Sequence, residues 1–139
     1  MSPLDKQLLV RKAKLIEEDL NKLQEFEKIS LKKYQQSLET RLQVERLLER
    51  IVGRVIDINY HLLKQEFDYL PQDYYQSFLK LAEKKILSKK FAAQIAQSTG
   101  LRNALAHDYD VVDDQQVFEA IKRCLLQVPK YLKIVLDRF

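Results

Sequence analysis

Arg102-Asn103-Ala104-Leu105-Ala106-His107-Asp108-Tyr109 places a permanent cation, a carboxamide, an imidazole and a phenol within one short stretch. Arginine can grip a phosphate through two parallel hydrogen bonds. Histidine is the side chain whose unperturbed pKa lets it give or take a proton near neutrality. The pair has the means to cleave a phosphodiester without a metal ion. The rest of the chain reads as the scaffold that would present them.

Spacing decides whether these groups can cooperate. On a straight helix, residues five apart lie about 140° round the axis and about 7.5 Å along it. Arg102 and His107 therefore do not share a face. Asn103 and His107 are four apart and do. Asn103 can then orient the imidazole or share a substrate phosphate with it. The long stem of Arg102 can reach round the helix, above all if the helix ends near His107. Asp108, Asp110, Asp113 and Asp114 point to an end at about that position. The alternative is a site completed by two copies of the motif from two subunits. Arg followed by His at this spacing is a weak signal in itself, and the bland reading is a helix end with a solvated arginine. Asn directly after the Arg and Tyr two beyond the His sharpen it.

The pattern R-N-x-L-x-H-x-Y resembles the motif of the HEPN superfamily, in particular its HepT-like (DUF86) toxins. The likeness extends through Glu45-Arg46-Leu47-Leu48, Ile56-Asp57-Ile58 and His61-Leu62, which are similar to that family's second helix. It continues through Tyr75 to Leu81, similar to its short third helix, and Gly100-Leu101 ahead of the motif. It covers the chain from about Thr40 to the C-terminus. The resemblance implies a homodimeric, metal-independent ribonuclease with no cofactor, in which Arg102 and His107 are catalytic and Asn103 positions the substrate. It further implies a cognate MNT-type nucleotidyltransferase antitoxin, which silences the toxin by adding AMP to the motif tyrosine, here Tyr109.

The elements that must hold these residues are helices. The 139 residues fit a single domain, 1–139, large enough for a real core. Only two Gly and three Pro occur, beside abundant Leu, Lys, Gln and Glu, so the expected class is all-α. A first helix starts at Ser2-Pro3, with proline at the first helical position. Ser37 is the expected cap of a long second helix, apolar on much of its circumference and so buried on several sides, including against a second subunit. Asp68 to Asp73, with Pro71, is the clearest break. Asp73 then caps a short third helix, about Tyr74 to Leu87. Ser88 caps a fourth, whose C-terminal half carries the motif, with Phe91, Ile95, Arg102, Leu105 and Tyr109 near one face. Asp113 caps a fifth, which Pro129 should kink or leave with one unpaired carbonyl. Gly100 is the expected point of close backbone approach. The whole is a single up-and-down bundle of about five helices, HEPN-like and homodimeric.

Charge and cysteine usage narrow the function classes. The net charge of +4 permits an RNA partner without requiring one. Cys124 is the only cysteine, so neither an intrachain disulfide nor a CxxC metal site can form, which suits a reducing cytoplasm. The N-terminus has no signal-peptide pattern, and no apolar run is long enough to span a bilayer. Arg46, Arg50 and Arg54 form a basic row at four-residue spacing. Lys80, Lys84, Lys85, Lys89 and Lys90 form another patch; either can track an RNA backbone, or simply be a solvated face. His61 sits in an apolar neighbourhood four residues from Asp57 and reads as structural. The aspartates after the motif follow no EF-hand pattern, and capping explains Asp113 more cheaply than a metal. Tyr34, Tyr60, Tyr69, Tyr74, Tyr75 and Tyr131 can stack on bases, though most read as core or rim.

The leading expectation is an endoribonuclease toxin acting on RNA, tRNA included, and paired with the nucleotidyltransferase. The competing expectations are a non-catalytic helical dimer that binds a nucleotide or a partner, and a purely structural helical subunit.

Overall fold

The structure, a computed structural model, describes residues 2–107, 110 and 112–139, and of Leu4 the backbone alone. Seven helical segments appear among the described residues: α1 (Pro3–Gln24), α2 (Leu31–Gln36), α3 (Leu38–Phe67), α4 (Tyr74–Glu83), α5 (Lys89–Ala96), α6 (Ser98–His107) and α7 (Asp114–Arg138). No strand occurs among them. The all-α class holds, and the caps fall where the sequence places them. Ser2 and Asp5 form a capping box ahead of Pro3. Ser37, Asp73, Ser88 and Asp113 each accept a bond from a backbone N–H in the first turn of α3, α4, α5 and α7. Each satisfies one donor that the helix cannot.

The helix count is higher than the sequence suggests, for two local reasons. Ser30 caps an additional short helix, α2, whose Tyr34 is fully buried. The expected fourth helix is interrupted at Gln97, between α5 and α6. There the Ser98 and Thr99 hydroxyls donate to the carbonyls of Ile95 and Ala96, at 2.6 and 2.8 Å. Such bonds compete with the helical ladder. The third helix ends at Glu83 rather than Leu87, because Lys85 adopts a left-handed conformation (φ 62°) and Ile86 N–H turns back to the Leu81 carbonyl. Pro129 does not end α7, which runs through it to Arg138.

α3 is the axis of the molecule. Its 30 residues span about 45 Å. It packs against α1, α2, α4, α6 and α7. Val44, Leu48, Ile51, Val52, Val55, Ile56, Ile58, Leu62 and Leu63 are all buried within this one chain. The broad apolar surface expected to face a second subunit is thus largely used inside the monomer. Leu38 and Leu42 are the large hydrophobics α3 leaves exposed. One buried polar chain crosses this core. The Tyr131 hydroxyl of α7 donates to Asn59 Oδ1, Asn59 Nδ2 donates to Ser77 Oγ (3.0 Å), and Ser77 Oγ donates to the Tyr74 carbonyl (2.6 Å). It ties α7, α3 and the first turn of α4 together. No helix among the described residues is long and apolar enough to cross a membrane.

Candidate active site

Arg102 leaves α6 toward α3 and crosses it at Gly53. A β-carbon on Gly53 would lie 3.9 Å from Arg102 Nε, so the absence of a longer side chain there makes room for the guanidinium. The close approach is therefore at Gly53 and not at Gly100, where a β-carbon would meet nothing within 4 Å. Beyond Gly53 the guanidinium carbon stands 5.3 Å from the centre of the Tyr74 ring, within cation–π range. Arg102 Nη1 is 3.5 Å from Asn103 Oδ1, at the limit of a hydrogen bond. Arg102 Nε is buried without an acceptor. No carboxylate pairs with Arg102 among the described residues. A partly covered guanidinium with an unsatisfied donor carries a free-energy cost that an anionic ligand can offset.

His107 is the last residue of α6, and both it and Asn103 are exposed. They lie one turn apart on the same face. No hydrogen bond or ion pair joins Arg102 to His107 among the described residues. The regular helix between them keeps the two side chains on different faces, as their spacing dictates. Asp108 and Tyr109 lie outside the described residues.

Arg102 borders three cavities. The first, about 460 Å³, is an apolar cleft between α3, α5, α6 and α7, with Leu48, Val52, Phe91, Leu105 and Cys124 in its wall. Burial pushes the Cys124 thiol up to about 12, so it is no nucleophile at neutral pH. The second, about 500 Å³, is an open groove along Arg46, Glu49, Arg50, Gly53, Arg54 and Asp57. The third, about 330 Å³, lies among Gly53, Ile56, Asp57, Tyr60 and Tyr74.

The two basic features of the sequence differ in character. Arg50 Nε and Arg54 Nη1 both contact Asp19 Oδ2 of α1, at 3.1 and 2.8 Å, and Asp19 is buried. Two of the three arginines thus anchor α1 to α3 while sharing a single carboxylate, which leaves the groove net positive. Arg46 lies 3.5 Å from Glu49. In the lysine patch, Lys80 pairs with Glu83 and covers Tyr69, and Lys84 covers Phe67. Those two lysines pack on aromatic rings, Lys85, Lys89 and Lys90 are exposed, and none of the five lines the Arg102 groove. His61 Nε2 stands 3.4 Å from Asp5 Oδ1 of α1 without a hydrogen bond, while Asp57 takes a different partner, Lys12. Asp114 approaches Arg41 at 3.7 Å, and Asp113 is the α7 cap.

The family model for ribonuclease HepT-like proteins matches residues 16–135. A tRNA nuclease HepT of Aphanizomenon flos-aquae is 39% identical over 133 residues, covering 96% of this chain and 90% of that protein. The chain belongs to the HepT-like ribonuclease family. An mRNA nuclease HepT of Shewanella oneidensis is 25% identical over 88 residues, 63% of this chain and 66% of that protein. The HepT-like fold is shared with solved structures. A toxin–antitoxin complex with AMP-PNP superposes with a TM-score of 0.84 at 20% identity, covering 93% of this chain and 97% of that one. The tri-AMPylated HEPN toxin of Shewanella oneidensis in complex with MNT antitoxin gives 0.83 at 21%, covering 97% and 98%.

Within this HepT-like scaffold the sequence motif supplies Arg102, Asn103 and His107, but not the surroundings of Arg102. Gly53 and Tyr74 are remote from the motif in the chain and carry no local pattern of their own. Gly53 had one available signal: a glycine inside a long apolar helix lowers helix stability and so asks for a packing reason.

Proposed function

We propose that this HepT-like protein is a metal-independent endoribonuclease toxin, with tRNA the first substrate class to test. The observation that carries the assignment is Arg102, partly buried, with an unsatisfied Nε and a net-positive groove beside it. Arg102 binds the scissile phosphate and stabilises the charge that builds up on it. His107 takes the proton of the ribose 2′-OH or returns one to the 5′-oxygen leaving group. Asn103, on the face of His107, orients the imidazole or the phosphate. Attack by the 2′-OH leaves a 2′,3′-cyclic phosphate and a 5′-hydroxyl, so DNA is inert. The separation of Arg102 from His107 within one helix favours a symmetric homodimer, in which Arg102 of one protomer works with His107 of its partner. The cognate MNT-type nucleotidyltransferase silences the toxin by adding AMP to Tyr109.

The experiment is cleavage of tRNA and of single-stranded DNA by the purified protein in EDTA. RNA should be cut and DNA left intact. His107→Ala should lose about 10²- to 10⁴-fold in rate with its helical content unchanged. Arg102→Lys should recover only part of wild-type kcat/KM, since an ammonium cannot make the two-pronged contact. Wild-type rates in His107→Ala would refute the assignment. Tight RNA binding with no cleavage would favour the non-catalytic binding module instead.

A further inference from the structure

The groove along Arg46, Arg50 and Arg54 and the smaller cavity beside it share Gly53, Asp57 and Arg102. They are two halves of one surface joined where Gly53 has no side chain. The smaller half has an unusual wall. The Tyr60 and Tyr74 rings stand 5.9 Å apart at 78°, the two sides of an aromatic corner. Tyr74 is an aromatic residue left partly exposed, at 37%. Buried Ile56 provides apolar surface. Asp57 adds a carboxylate; Lys12 donates to its Oδ2 at 3.0 Å, which leaves Oδ1 to accept another donor.

We propose that this corner is a nucleobase subsite, taking one unstacked RNA base that carries an exocyclic amino group, with the adjoining phosphate on Arg102. The proposal rests on the ribonuclease reading and adds to it a specificity pocket made of Tyr60, Tyr74 and Asp57. A planar base lying against one tyrosine meets the other edge-to-face, so both rings contact a single ring system. The carboxylate only accepts hydrogen bonds, so it suits the amino group of cytosine, adenine or guanine. Uracil presents a carbonyl oxygen where cytosine carries its amine, and two acceptors then face each other. Arg102 lies over Tyr74 and also lines the arginine groove, so base and phosphate sites adjoin through one guanidinium. An aromatic side chain of a protein partner would fit the corner too, but would use neither the Asp57 carboxylate nor the positive groove.

The test is binding, measured apart from cleavage. The full-length chain is titrated with cytidine 3′,5′-bisphosphate, uridine 3′,5′-bisphosphate and inorganic phosphate, following the Gly53 and Tyr74 amide resonances. The cytidine compound should shift both and bind about tenfold tighter than the uridine compound, with phosphate weakest. Asp57→Asn should abolish the cytidine preference. Lys12→Gln, which breaks the same ion pair but keeps the carboxylate, should retain it. Tyr74→Leu should lose about tenfold in cytidine affinity, and Tyr74→Phe should not. Equal affinity for the two nucleotides, or shifts that leave Gly53 and Tyr74 unmoved, would overturn the subsite. A protein that binds cytidine bisphosphate here yet cuts no RNA would fail the ribonuclease reading alone.

Discussion

Arg102 shows how much the role of one side chain depends on what a distant residue lacks. Its position in the motif is the reason it is proposed as the phosphate ligand. Its orientation comes from Gly53, where it crosses α3, and from Tyr74, whose ring it covers. Asn103 and His107, by contrast, are exposed and make no such long-range contact with described residues, so their arrangement follows from helical spacing alone. Tyr109 lies outside the described residues, and its proposed role is chemical. A phosphodiester-linked AMP adds a negative charge two residues from His107, which can compete with substrate phosphate for Arg102. Tyr109→Phe should therefore stay active after incubation with the nucleotidyltransferase, ATP and a divalent ion. Wild type under the same conditions should gain mass in AMP units and stop cutting RNA. A Phe variant that gains the same mass would move the modification elsewhere.

At the scale of elements, the capped helix starts and the break after Phe67 were legible, whereas the end of α4, the extra helix α2 and the division between α5 and α6 were not. Starts carry their own chemistry: Ser37, Asp73, Ser88 and Asp113 cap the helices that the sequence assigns to them. Ends and interruptions depended on bonds that residue type only permits. Ser98 and Thr99 bond back to α5 carbonyls and split one expected helix into two. Lys85 ends the α4 turn at φ 62°, a conformation that costs a side-chain-bearing residue about 1–2 kcal/mol and glycine little. Buried Ile86 and Leu87 just beyond it hold the turn in place. Lys85→Gly should accordingly stabilise the protein, by about 1 kcal/mol once the entropy glycine adds to the unfolded chain is deducted. Urea denaturation should show a higher midpoint at unchanged m-value; a lower midpoint would mean that the Lys85 side chain contributes more than its backbone strain costs.

Across the whole molecule, α3 collects the other helices, and the buried chain of Tyr131, Asn59 and Ser77 fixes how α7 and α4 sit on it. The chain ends on the Tyr74 carbonyl, so it also places the ring beneath Arg102. Asn59→Ala would remove a partner from both the Tyr131 hydroxyl and Ser77 Oγ in a site without exposure. It should cost about 1–3 kcal/mol and lower Tm by several degrees, with a secondary loss of RNA cleavage as Tyr74 shifts. Unchanged Tm would show that the network is dispensable. The proposed assembly can be checked at the same scale: sedimentation of an active preparation at micromolar concentration should give a dimer. An active monomer would require Arg102 and His107 to meet within one chain.

The sequence by itself determined the all-α class, the caps, the family and the identity of Arg102, Asn103, His107 and Tyr109 as candidates, because composition, capping and motif spacing are local. Tertiary structure alone decided that Arg50 and Arg54 hold α1 through Asp19, that the apolar bulk of α3 is spent inside the monomer, and that Gly53, Tyr60 and Tyr74 surround Arg102. Those pairings join residues as much as 49 positions apart, Gly53 to Arg102, and depend on how α1, α4 and α6 pack against one central helix. No local pattern encodes that packing, since any helix with a matching apolar stripe could occupy the same place.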